Sequence, residues 1–150
     1  MRIAIGSDHG GFPLKEALRA YVQSLGHTVT DVGTYSTVAC DYPDYALKVA
    51  GAVATGETDR GIMIDGAGIG SSMVANKLPG IRAALCNDMY AARNAREHND
   101  ANVLTLGARV IGPGLAEEVV RLFLDTPFAS RHQPRIDKIH ALERELHRNG

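Results

Sequence analysis

Tryptophan is absent from the 150 residues, cysteine occurs twice, and aromatic residues make up only 5%. A core built from this chain must be aliphatic. Two thiols, Cys40 and Cys86, make no disulfide framework, and without an export signal they read as reduced, in the cytoplasm. Neither sign of charge dominates: 16 Lys and Arg stand against 17 Asp and Glu, net −1. That balance gives no basic footprint for nucleic acid or an anionic membrane. No apolar run approaches the roughly 20 residues of a membrane span. The opening "MRIAIGSDHG" has an apolar stretch of about four residues that leads into polar ones, which is no signal peptide. Linkers, low-complexity tracts and repeats are also missing. The length fits one domain, 1–150, large enough to bury a core without a metal or disulfide staple.

What is present is a regular alternation. Strands are predicted at 2–7, 27–33, 60–65, 81–86 and 102–107. Helices are predicted at 13–26, 42–56, 70–78, 88–98 and 112–126, with a last one at 134–148. Pro13 and Pro43 suit first helical turns, and Gly26 suits a stop. The run "RGIMID" (60–65) is apolar throughout, as in a strand covered on both faces. Five strands, each followed by a helix, predict an α/β fold: a Rossmann-like, doubly wound parallel sheet with helices on both faces and an extra C-terminal helix. The apolar stripe of that last helix, Ile136, Ile139, Leu142 and Leu146, needs a partner, either its own domain or a second subunit.

Ligands in such sheets bind beyond the carboxyl ends of the strands, where strand order reverses. With an expected order of 2-1-3-4-5, the loops "SDHGG" (7–11) and "DGAGIGSS" (65–72) are neighbours there. Asp8, His9 and Asp65 then converge on one crevice. The glycine loop carries no Walker lysine, and its G-x-G-x-G spacing is not the dinucleotide fingerprint. It offers backbone N–H groups that bind an anion or stabilise one formed in a reaction. A tight packing turn is the alternative. Asp65 has a second reading too, as a cap for the next helix. His98 and Asn99, in "REHNDAN", follow the fourth helix, at the pole opposite the carboxyl ends. Arg131, His132 and Arg135 enter the last helix, where the helix dipole favours acids, so they point to an anionic ligand such as phosphate or else to a solvated face. Tyr42 and Tyr45 are further candidate contacts. No ligand spacing supports a metal at Asp8, His9, Asp65 or His98, and Cys86 lies in no nucleophile motif.

The segments "GSDHGGFPLKEAL", "DYPDYA", "GAGIGSSMVANKLPGIRAAL", "REHNDANVLTLGARVIG" and "RHQPRID" resemble the ribose-5-phosphate isomerase type B family, which includes the galactose-6-phosphate isomerase subunits. The likeness runs in register from residue 2 to about residue 140. It implies cofactor-free aldose–ketose interconversion of a sugar phosphate by a homo-oligomer, dimer or tetramer, with active sites shared between subunits. It implies that His98 opens the sugar ring with Asp8 nearby, and that a base at the glycine loop moves a proton between C1 and C2. Amides from Gly66 through Gly68 and Gly70 to Ser71 would stabilise the enediolate. Asn99 and Tyr42 would touch hydroxyls, and His9, Arg109, Arg131 and Arg135 would surround the phosphate. The family's usual cysteine base is Asp65 here, and its usual hydroxyl neighbour is Ala67; the glutamate of another branch is Ser71. An aspartate at this place is similar to the A subunit of galactose-6-phosphate isomerase, which lacks the counterpart of His9. Asp65 is therefore the expected base. A non-catalytic sugar-phosphate binder, or a subunit that needs a different partner chain, is the alternative.

Overall fold

A computed structural model describes residues 1–150. Its strands are β1 (Arg2–Ser7), β2 (Thr28–Asp31), β3 (Arg60–Asp65), β4 (Ala83–Leu85) and β5 (Val103–Gly107). Its helices are α1 (Phe12–Ser24), α2 (Tyr42–Ala54), α3 (Ile69–Ala75), α4 (Met89–Glu97), α5 (Pro113–Asp125) and α6 (Gln133–Arg148). All strand pairs are parallel. Prolines occupy the first turns of α1, α2, α5 and α6, where no N–H is missed.

The sheet order is β2-β1-β3-β5-β4, which corrects the expected 2-1-3-4-5. Burial explains the exchange. Every residue of β5 is buried, so it belongs inside the sheet, whereas β4 is three half-buried residues at the edge. β1 and β3 remain neighbours, as the site argument requires. The register aligns Ser7 with Ile64, and Asp65 with Gly107, so three strands end level at one crevice.

Strand alternation divides the core into two layers. Ile3, Ile5, Ile62, Ile64, Leu104 and Leu106 pack with side chains of α1 and α5 such as Leu18, Val22, Val120 and Phe123. Ala4, Met63 and Val103 face Val49, Ala50 and Ala75 of α2 and α3. Some elements are shorter than predicted. β2 stops at Asp31 because Gly33, at φ +92°, turns the chain. α3 stops at Ala75, where the chain tightens to i→i−3 bonds, Lys77 N–H to Val74 (3.0 Å) and Leu78 N–H to Ala75 (3.2 Å), just before Pro79. The Asn76 side chain turns to β4, its Nδ2 donating to the Ala83 carbonyl (3.0 Å) and its Oδ1 accepting from the Ala83 N–H (2.8 Å). Of the α6 stripe, Ile136 is buried, while Ile139, Leu142 and Leu146 remain 45–63% exposed beside Ile81 and Ala83. No helix is long and apolar enough to cross a membrane.

Candidate active site

The crevice at the carboxyl ends gathers Asp8, His9, Tyr42, the loop from Asp65 to Ser71, and Arg109. Asp8 Oδ1 accepts from the Gly11 N–H (2.9 Å), so this acid shapes the turn into α1. Gly11 itself is obligatory, since a Cβ there would overlap the Ile64 carbonyl. The His9 ring is held by Cys40, whose N–H donates to Nδ1 at 3.1 Å. The Cys40 carbonyl lies 3.2 Å from the same Nδ1, so the Cys40 backbone holds this edge of the ring with a donor and an acceptor side by side. Sequence reasoning had no reason to name Cys40, because its backbone rather than its thiol does the holding.

Asp65 is buried and both its oxygens are engaged. Oδ1 accepts from the Gly68 N–H, and Oδ2 accepts from the Ser71 hydroxyl (2.7 Å) and the Ser71 N–H (3.3 Å). A carboxylate has about four acceptor sites, so three donors leave one. Gly68 takes φ +80°, where a Cβ would also run into Leu85 and the Leu106 backbone. A Cβ at Gly70 would overlap the Tyr42 ring, so the tyrosine lies directly over the loop. Gly66 is crowded by nothing closer than Arg109 Cδ at 3.8 Å, and the N–H groups of Gly66 and Ala67 bond to nothing within the chain. The Arg109 N–H donates to the Gly66 carbonyl (3.1 Å), which keeps that side chain at the same rim.

A second group lies at the other end of the sheet. His98 ends α4 just before β5 begins, and its ring stacks on His132 with centroids 4.1 Å apart. Arg135 Nη1 donates to His132 Nδ1 (3.2 Å), and Arg131 reaches Glu97 (3.4 Å). Asn99 Nδ2 donates to Asn94 Oδ1 (3.2 Å). His132 was read from sequence only as one cation among three. It is instead buried, with Nε2 unpartnered. Burial, then His98 and the two arginines, lowers its pKa below the ordinary histidine value. A stacked His–His contact leaves no local spacing signal, so sequence could not give it.

The two groups sit at opposite ends of β5, whose five residues span roughly 16 Å. No single sugar carbon meets both within one chain. No three His, Cys, Asp or Glu side chains come together as a metal site. Cys86 is fully buried, and burial pushes its thiol up to about 12, which removes it as a nucleophile.

A parallel sheet with a glycine loop, a buried acid and a histidine at its switch point defines an α/β enzyme that works at the carboxyl edge of its strands. Comparison gives the family. Residues 3–139 match the Ribose/Galactose Isomerase family model. Ribose-5-phosphate isomerase B of Escherichia coli is 48% identical, over 95% of this chain and 96% of that protein. D-erythrulose-4-phosphate isomerase of Pectobacterium atrosepticum is 45% identical, over 93% of each. The structure of Clostridium thermocellum ribose-5-phosphate isomerase B superposes with a TM-score of 0.95 at 50% identity, over 97% of this chain and 99% of that one. The chain belongs to the ribose/galactose isomerase family, and it is an aldose–ketose isomerase of the ribose-5-phosphate isomerase B type.

Proposed function

We propose that residues 1–150 form one domain that interconverts the aldose and ketose forms of a four- to six-carbon sugar phosphate, without a cofactor, in sites completed by a second copy of the chain. The observation that carries this reading is the separation of the two groups: the crevice holds an acid, amides and His9, while the ring-opening histidine and two arginines stand at the far pole. A partner turned to bring its far pole to this crevice unites them. The partner subunit's His98, with Asp8, opens the ring. Asp65 uses its one free acceptor site to move the proton between C1 and C2. The unbonded amides of Gly66 and Ala67 face the oxygen on which enediolate charge develops. Tyr42 and the partner subunit's Asn99 bind hydroxyls. His9 and Arg109 bind the phosphate together with the partner subunit's Arg131 and Arg135.

Incubation with four-, five- and six-carbon aldose and ketose phosphates in D2O, followed by proton NMR, tests this. Expected is deuterium at C1 or C2 with interconversion for at least one sugar. Binding without exchange for every sugar would leave a binder or a subunit that needs a different partner, which the three loop bonds of Asp65 would then explain.

A further inference from the structure

His98 and Asn99 stand on a turn held in an unusual way. Asp100 is the only non-glycine residue with positive φ, at +46°. The Ala101 N–H returns to the Ala95 carbonyl (2.9 Å) and the Asp100 N–H to the Arg96 carbonyl (3.2 Å), a helix end of the kind that ordinarily places glycine at its left-handed position. Here the position carries a carboxylate, and two arginines meet it. Arg82 Nη2 donates to one carboxylate oxygen (3.3 Å), and Arg96 Nη1 to the other (2.9 Å). Arg82 also grips backbone: Nε donates to the carbonyls of Asn99 (3.2 Å) and Asp100 (3.0 Å), and Nη2 to the latter at 2.8 Å. Its Nη1 reaches His140 Nε2 on α6 (2.9 Å). Arg96 is almost fully buried, and the Arg82 side chain is 16% exposed.

We infer that Arg82 and Asp100 are positioning residues for ring opening. Glycine would make the turn at no steric cost, but it would lose the carboxylate contacts to both guanidinium groups. Aspartate tolerates the left-handed region and adds a carboxylate contact to the carbonyl bonds that Arg82 makes with the turn. Arg82 then ties the His98–Asn99 turn to α6, the helix that carries Arg135. The imidazole and the arginine become one rigid unit, presented together to the neighbouring crevice. Arg82 itself touches neither sugar nor phosphate in the proposed site. A bidentate fork holding carbonyls on two residues is a task lysine does not replace. This inference rests on the reading of His98 as the ring-opening group.

The test separates ring opening from proton transfer. An aldopentose 5-phosphate closes to a furanose and must be opened. A ketopentose 5-phosphate cannot close, because O5 is esterified. Arg82→Met should lower turnover of the aldose by about tenfold or more, the scale of a misplaced acid–base group. Deuterium exchange at C1 of the ketose should stay within about threefold of wild type. Asp100→Gly, which keeps the turn and drops the carboxylate, should show the same bias with a smaller loss, and it serves if Arg82→Met does not fold. Equal losses in both assays, or no loss in either, overturn the inference. Backbone hydrogen exchange judges the clamp apart from activity. Amides 98–101 should lose protection in Arg82→Met while β3 and β5 keep theirs, and unchanged protection there also overturns it. A wild type inactive on every sugar phosphate would remove the isomerase reading, and hydrogen exchange would still decide the clamp.

Discussion

Asp65 is tied into the glycine loop and is also the proposed base, so one substitution there must be read by two measurements. From sequence, asparagine looks like a neutral replacement, because it caps helices about as well as aspartate. The contacts say otherwise. Asp65 accepts on both oxygens, from the Gly68 N–H on one and from Ser71 on the other. An asparagine has one oxygen, so its NH2 must face one of those N–H groups. Asp65→Asn should therefore lose about 10²–10⁴ in kcat and also about 1–3 kcal/mol of stability for an unpaired buried donor. Steady-state kinetics and urea unfolding on the same preparation check both. Normal turnover with the stability loss would make Asp65 a cap and not the base. His132 gives a pH prediction. Its folded-state pKa is lowered, chiefly by burial, so the unfolded chain binds a proton near pH 6.5 that the folded chain resists. Its contribution is present above that pH and lost as pH falls below it. Between pH 7 and 5, the melting temperature of wild type should fall more steeply than that of His132→Gln. Parallel curves would remove His132 as the cause.

At the scale of elements, the glycine loop separates positions that look alike in sequence. Gly66, Gly68 and Gly70 read as one motif, yet each is glycine for a different reason. Gly68 needs a left-handed backbone against the fixed Leu106 main chain, so Gly68→Ala should cost about 1–3 kcal/mol in denaturant unfolding. Gly70 is crowded only by the Tyr42 ring, which is partly exposed and can swing away. Gly70→Ala should leave the unfolding midpoint near wild type and raise KM for the sugar phosphate. An unchanged KM would take Tyr42 out of substrate binding. Much of this level was legible in the chain. The apolar run 60–65 announced a central strand, and Pro13 and Pro43 marked two helix starts. Placing β5 beside β3 was not legible, because an edge strand and a central one differ here in length and burial rather than in residue type. The Asn76 side chain joins the end of α3 to the edge strand β4. That is a tertiary contact without a local pattern. The glycine loop, Asp8 and His9 were legible as one candidate crevice, since strand ends and switch points follow from topology. The His98–His132 stack was not.

The whole molecule poses the question that no single residue answers: how the groups proposed as catalytic, at both poles of one sheet, would reach one substrate. Burial on α6 points the same way as the split site. Only Ile136 of its stripe is covered, while Ile139, Leu142 and Leu146 stay open. Two copies related by a two-fold axis would place each far pole at the other's crevice, giving two equivalent sites. Each site then takes Asp65 from one copy and His98 from the other. Consider Asp65→Asn and His98→Ala, each inactive alone. In a mixed dimer, one site receives both substitutions and the other receives neither. Random reassembly puts about half of the chains in mixed dimers, and half of the sites in those dimers are intact. Mixed, dissociated and reassembled variants should regain about a quarter of wild-type activity. Rescue should appear only after subunit exchange, which tagged chains and co-purification verify. Mixed dimers with no regained activity would place Asp65 and His98 in one subunit's site, against their positions at opposite ends of β5. Rescue without exchange would mean the variants were not inactive.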